Sequence, residues 1–212
     1  MKFADRRHAG ILLGAEVAAA APADPVVYGL PRGGVPVAYE VAAALGCRLD
    51  VLVVRKVGVP FQPELAMGAI AEGDVIVRND EIIDLARISE TDFMAVVDSE
   101  REQLESRVQA YRSDEAPVPP EGRTAIVVDD GLATGSTAKA ALAVLREQGA
   151  AAVWLAVPVG PRDSISDLGT VADRIVVLSQ PRNFGAVGVW FRDFTQTTDE
   201  EVRALLSESP LA

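Results

Sequence analysis

An apolar, β-branched run, Thr124-Ala125-Ile126-Val127-Val128, leads directly into two adjacent carboxylates, Asp129-Asp130. The turn Gly131-Leu132-Ala133-Thr134-Gly135-Ser136-Thr137 follows, and then a helical pattern from Lys139 to Gln148. Such a run predicts a buried strand. A strand that turns directly into a helix aims the first free N–H groups and the positive end of the helix dipole at the turn, which favours an anion there. Thr134, Ser136 and Thr137 add hydroxyl donors. Asp129 and Asp130 would repel a phosphate; they suit vicinal hydroxyls or a hydrated divalent cation. A phosphate cradle beside a diol clamp fits a ribose 5-phosphate. An ordinary helix cap would explain Thr134 or Ser136 alone, but not two consecutive carboxylates at a strand end.

The segment resembles the signature of the type I phosphoribosyltransferases, in which an apolar strand runs into two acidic residues and then a Thr-Gly loop. Gly131 stands where that family usually has an aliphatic residue. The resemblance implies that the chain binds phosphoribosyl pyrophosphate (PRPP) with Mg²⁺. Ala133, Thr134, Gly135, Ser136 and Thr137 would form the 5-phosphate loop. Asp129 and Asp130 would hold the ribose hydroxyls and help place Mg²⁺, which is bound mainly through PRPP. The implied reaction transfers the phosphoribosyl group to a nitrogen nucleophile and releases pyrophosphate.

Other segments extend the pattern. Gly29-Leu30-Pro31-Arg32-Gly33-Gly34 follows an earlier apolar strand, Val26 to Leu30. Gly33-Gly34 allows close backbone approach, and Arg32 offers a planar fork to phosphate oxygens. In the family this loop holds pyrophosphate, often through a strained or cis peptide, here Pro31–Arg32 or its neighbour. Arg55-Lys56 closes a second apolar run, Leu49 to Arg55, and one of the two cations is expected to face a departing pyrophosphate. Val59 to Gly68 corresponds to the family's flexible loop, with Glu64 a candidate catalytic group. After the last strand, about 180–195 is expected to form a hood over the nucleophile, with Trp190, Phe191 and Asp193 as acceptor-binding candidates. Purine salvage members acting on 6-oxopurines usually carry Asp where this chain has Ala133. The set Leu30-Pro31-Arg32-Gly33-Gly34, Val54-Arg55-Lys56, Pro63-Glu64-Leu65-Ala66 and Asp129 to Gly135 looks most like a branch of undefined substrate, sometimes fused to an α/β-hydrolase domain. A non-catalytic PRPP or nucleotide sensor is the alternative.

The rest of the chain sets bounds. It has 212 residues, of which 49% are hydrophobic, enough for a sizeable core. Alternating strands and helices imply an α/β fold: a doubly wound, mainly parallel sheet flanked by helices, read as one domain over 1–212. Residues 3 to 21 read as a helix, Val57 to Glu64 as a loop, and Leu65–Ile70 with Val75–Arg78 as a hairpin. Ser89 caps a long helix that either covers the sheet or joins a homodimer contact. Net charge −11 argues against non-specific nucleic-acid binding. Cys47 and His8 are each the sole residue of their kind, which excludes a disulfide framework, a cysteine metal site and a multi-histidine centre. His8, beside Arg6 and Arg7, is expected to be solvated. No apolar run is long enough to span a bilayer, and a cytoplasmic protein is expected.

Overall fold

The computed structural model describes residues 2–112 and 116–209. Five parallel strands form the main sheet in the order β2-β1-β6-β7-β8, where β1 is Pro25–Gly29, β2 Arg48–Val51, β6 Thr124–Val128, β7 Ala152–Val159 and β8 Arg174–Ser179. Their side chains alternate strictly. Val26, Tyr28, Ala125, Val127, Val153 and Leu155 face one core, while Val27, Ile126, Val128 and Ala156 face the other. A sheet covered on both faces needs apolar residues at every position, so these strands read as continuous runs. Helices α1 (Arg6–Ala19) and α2 (Gly34–Leu45) cover the second face, and α5 (Ser136–Glu147) covers the first. α6 (Arg162–Leu168) joins α5 there through Leu168.

The chain leaves β1 through α2 toward β2 in one direction, and leaves β6 through α5 toward β7 in the other. The winding therefore reverses between β1 and β6. Ligands of open parallel sheets settle in the crevice at such a reversal, beyond the carboxyl ends of the strands. Gly29 pairs with Val128, so the loops after β1 and β6 emerge side by side.

A second sheet, antiparallel, is built from β3 (Val54–Val59), β4 (Gln62–Ala71) and β5 (Val75–Arg78). It packs between α5 and α4 (Glu90–Tyr111), with α3 (Asp80–Ala86) beside it. Ser89 caps α4, its hydroxyl accepting from the Asp92 N–H at 3.2 Å, and Phe93, Val97, Leu104 and Tyr111 line the buried face. After β8 the chain makes a 3₁₀ turn at Val187–Trp190 and ends in α7 (Asp199–Ser207).

Three expectations are corrected. Leu49 to Arg55 is not one strand. The Leu52 N–H still bonds to Gly29, but from Val54 the backbone pairs with Ala71 in the second sheet. Leu49 to Val53 are buried and Val54 is half-buried against the same core as Leu52, so nothing in the apolar pattern marks the break. Val57 to Glu64 is not a loop but a hairpin turning at Pro60-Phe61. Its Gly and Pro residues mark an irregular register, where a side chain at Gly58 would overlap the Pro63 backbone. The first helix starts at Arg6, capped by Asp5, because Phe3 is held in a bridge to Phe191.

One buried ion pair braces this frame. Asp50 on β2 is 6% exposed and accepts from Arg112 at 3.0 and 3.2 Å and from the Val51 and Val118 amides at 2.7 Å. It ties the exit of α4 and the Pro-rich connector to the sheet. Asp50→Ala leaves two buried amides without an acceptor and Arg112 with only Glu72 and the Val51 carbonyl, and should cost about 3–5 kcal/mol in urea unfolding. Asp24→Ala, which breaks an exposed pair with Arg123, should cost under about 1 kcal/mol. Equal losses would contradict the assignment.

Candidate active site

The acidic pair lies at the end of β6 with both side chains half-buried. Asp129 Oδ1 accepts from the Asp130 N–H at 2.8 Å, and Asp130 Oδ2 accepts from Arg6 Nε at 2.8 Å. Burial pushes the Asp129 carboxyl well above the usual carboxylate range, and the Asp130 charge adds to the shift. Burial also raises Asp130, opposed by Arg6. Two adjacent carboxylates thus share a single guanidinium, and the pair is short of positive charge and donors.

The loop after β1 lies directly on this pair. A side chain at Gly33 would overlap the Asp130 carboxylate, and a Cβ at Gly34 would come within 2.7 Å of the Val128 carbonyl oxygen and 2.9 Å of Asp129 Cα. Here the two glycines are required by contact, since neither has positive φ. The Pro31–Arg32 peptide is cis, in line with the resemblance. Arg32 is 3.9 Å from Asp199, at the outer limit of an ion pair, and both side chains are 40% exposed. Such a contact holds Arg32 weakly.

Beyond the acidic pair, buried Leu132 pins the turn and Gly135, at φ 73°, opens α5. The first helical amide to find a helix carbonyl is Lys139, bonding to Gly135 at 2.8 Å. The amides of Thr137 and Ala138 therefore have no acceptor within the helix. Thr134 and Ser136 share a hydrogen bond of 3.0 Å, and Thr134, Thr137 and Ala133 are exposed. Ser164 of α6 donates to the Ala133 carbonyl at 3.0 Å and steadies the loop from behind.

Arg55 and Lys56 point to opposite faces of β3. Arg55 turns toward α4, where Glu100 at 2.7 Å and Gln103 at 2.7 Å hold it. Lys56 shares the face of Val54, which packs on the α5 side, and its Nζ lies 3.5 Å from Glu64, itself 92% exposed. One cleft of about 530 Å³ is lined by Pro31, Arg55, Lys56, Glu64 and Thr137. It brings together the loop after β1, the basic pair and the start of α5.

The C-terminal segment reaches Gly131, the residue that follows the acidic pair. Val187 fills the space beside Gly131, where a Cβ would come within 2.6 Å of it. That contact explains why this chain carries glycine at the position. Phe191 is 4% exposed and packs between Phe3 and Phe194, so its ring serves the core and offers no open face for stacking. Trp190 is half-buried, donating to the Phe184 carbonyl at 3.0 Å. Asp193 is exposed but engaged, accepting from the Thr195 amide and hydroxyl at 2.9 and 2.6 Å.

Arg6 and Ser164 escaped the sequence reading. Ser164 left no signal. Arg6 left a faint one: Arg6 and Arg7 occupy the first turn of a helix, against its dipole. Arg7 makes a surface pair with Glu40, whereas the Arg6 side chain is only 11% exposed.

Comparison with known proteins agrees with this geometry. A family model described as a phosphoribosyl transferase domain matches residues 12–188. A Mycobacterium tuberculosis protein named "Putative phosphoribosyl transferase Rv0571c" is 48% identical over 207 residues, 98% of this chain and 47% of its own length. The chain thus spans about half the length of the curated relatives it matches. The crystal structure of TT1426 from Thermus thermophilus superposes with a TM-score of 0.93 at 42% identity, over 99% of both chains. The AQ2163 protein of Aquifex aeolicus shares the fold at 11% identity, with a TM-score of 0.51 over 96% of this chain and 86% of its own. Among the described residues no helix is long and apolar enough to cross a membrane.

The raised Asp129 carboxyl makes a prediction whose sign is fixed. A carboxyl with a folded-state pKa above its unfolded value favours folding while protonated, and that contribution is lost as pH rises through the folded value. The ionised pair therefore costs stability at neutral and alkaline pH. Asp129→Asn keeps the acceptor for the Asp130 amide and removes the charge. Its melting temperature should exceed that of the parent, by about 2–4 °C for each kcal/mol relieved, and by more at pH 8 than at pH 5. A gain that shrinks as pH rises would contradict this.

Proposed function

Because the chain belongs to the phosphoribosyl transferase domain family, we propose that it binds PRPP with Mg²⁺ and transfers the phosphoribosyl group to a small nitrogen nucleophile. The observation that carries the reading is the contact of Gly33-Gly34 with Asp129-Asp130. It places a loop suited to pyrophosphate against carboxylates suited to a ribose, beside the open N-terminus of α5. PRPP presents a 5-phosphate, two hydroxyls and a pyrophosphate in that spatial order.

In this reading Thr134, Ser136 and Thr137, with the amides opening α5, take the 5-phosphate. Asp129 and Asp130 accept from the ribose hydroxyls. The backbone of Gly33-Gly34 and the Arg32 guanidinium take the pyrophosphate, and Lys56 neutralises charge on it as it leaves. The nucleophile's nitrogen forms a bond to C1 as the C1–oxygen bond to pyrophosphate breaks. Among the described residues no group of three or more His, Cys, Asp or Glu side chains could hold a metal. The available donors, Asp129 with Asp130, suit a Mg²⁺ carried chiefly by PRPP oxygens. When bound, that ion supplies positive charge for the leaving pyrophosphate. The chain itself contributes positioning and charge stabilisation.

The sensor reading also has an observation in its favour. Ala133 supplies no carboxylate and Asp193 Oδ1 is engaged by the Thr195 amide and hydroxyl, which favours binding without turnover. A panel of bases and amines, incubated with PRPP and Mg²⁺ while pyrophosphate is followed, separates the two. An enzyme releases pyrophosphate with at least one nucleophile; a sensor binds PRPP and releases none. Failure to bind PRPP at all would defeat both readings. General acid–base help is typically worth about 10²–10⁴ in rate, so hypoxanthine and guanine should be poor substrates by roughly that factor.

The two loops should divide the ligand between them. Thr134→Val should weaken ribose 5-phosphate and PRPP alike. Arg32→Ala should weaken PRPP and pyrophosphate while sparing ribose 5-phosphate. Loss of one charged hydrogen bond is worth about 1.5–3 kcal/mol, or roughly ten- to a hundredfold in affinity for Arg32→Ala. Calorimetric titrations that show equal losses for every ligand in both variants would contradict the division.

A further inference from the structure

Arg6 stands where three parts of the site meet. Its Nε donates to Asp130 Oδ2 at 2.8 Å, and its terminal nitrogen donates to the Thr195 carbonyl at 2.7 Å. Its guanidinium lies over the Phe194 ring, 3.9 Å from the centroid. A Cβ at Gly33 would come within 3.2 Å of its Nε. One side chain thus touches the acidic pair, the loop after β1 and the segment after β8. Its neighbours strengthen the link. The Phe3 N–H donates to the Trp190 carbonyl at 2.8 Å, and the amides of Arg192 and Asp193 donate to Phe3 and Ala4 at 2.9 Å. The Phe3 ring is fully buried, 5.4 Å from the ring of Phe191. Residues 3–6 therefore brace 190–195, and Arg6 carries that brace to Asp130.

We propose that Arg6 is a positioning residue that couples the 190–195 segment to the carboxylate of Asp130, so that occupancy of the ribose site sets the position of the acceptor-side wall. This rests on the PRPP reading above. A planar guanidinium can bond a carboxylate at one edge, a carbonyl at another and an aromatic ring on its face at the same time. An ammonium is a point charge without that flat fork and would not fix the three relative to one another. The carboxylate that would receive a ribose hydroxyl and the peptide that ends the hood are therefore held by one rigid group. When a hydroxyl donates to Asp130, the bond between Asp130 and Arg6 readjusts, and Thr195 and Phe194 follow.

Tryptophan emission reads the coupling directly, because the chain has only Trp154 and Trp190 and Trp190 lies in the coupled segment. In a Trp154→Phe background, saturation with PRPP and Mg²⁺ should change Trp190 emission. Arg6→Ala should bind PRPP about tenfold more weakly, the loss of one charged hydrogen bond to Asp130, and at saturation the emission change should be lost. Arg6→Lys should recover most of the affinity but not the emission change. Phe194→Ala leaves the Asp130 partner in place and guards against a general folding defect; it should lose the emission change with a smaller loss of affinity. A full emission change at saturation in Arg6→Ala, whatever its affinity, or no emission change in a parent that binds PRPP, overturns the proposal. Asp130→Asn separates this failure from a failure of the PRPP reading. If Asp130→Asn weakens PRPP while Arg6→Ala changes nothing, only the coupling falls. If Asp130→Asn binds PRPP like the parent, or the parent binds none, the ribose assignment and the coupling fall together.

Discussion

Two like charges held side by side at the end of a buried strand impose the main constraint on this structure. Asp129 and Asp130 are pushed toward the neutral form by burial and, for Asp129, by its neighbour. A fold keeps such a pair only where something compensates, and the compensation visible here is partial: one guanidinium and one backbone amide. The rest of the site is arranged around that deficit. The loop after β1 gives up side chains at Gly33 and Gly34 to reach the carboxylates, α5 aims unfilled amides past them, and Lys56 lines the adjoining cleft. A ligand that brings hydroxyl donors to the carboxylates and phosphates to the amides would offset the cost of that pair.

The sheet topology makes the arrangement possible. β1 and β6 are neighbours, and the chain leaves them in opposite directions. No crossover helix separates their carboxyl ends, so two loops distant in sequence can touch. That contact could not be read from either loop alone. Gly33-Gly34 signalled close approach to something, and Asp129-Asp130 signalled a polar ligand. Only the strand order showed that the glycines approach the carboxylates themselves.

Legibility followed local chemistry. The main-sheet strands were readable because burial on both faces leaves an unbroken apolar run, and α4 because Ser89 marks its start. The division of Leu49–Arg55 between two sheets was not readable, since Leu52 and Val53 are as apolar as a continuous strand would be. The hairpin at Pro60-Phe61 was hidden by Gly and Pro residues that serve an irregular register there. In the site, the acidic pair, the glycines and the hydroxyl turn were all legible, because each needs a particular residue type. Arg6 and Ser164 were not, because their partners lie far away in sequence. The aromatic tail was misjudged in part, since a buried Phe191 and a base-stacking Phe look alike in one dimension.

The central claim is that a phosphate cradle and a diol clamp act on one ligand, and a crystal structure of this chain with bound ribose 5-phosphate tests it most directly. The account predicts the phosphate against the amides and hydroxyls of Thr134 to Thr137, with the ribose hydroxyls within hydrogen-bond distance of Asp129 and Asp130. A phosphate seated elsewhere, or a ribose turned away from both carboxylates, would contradict it.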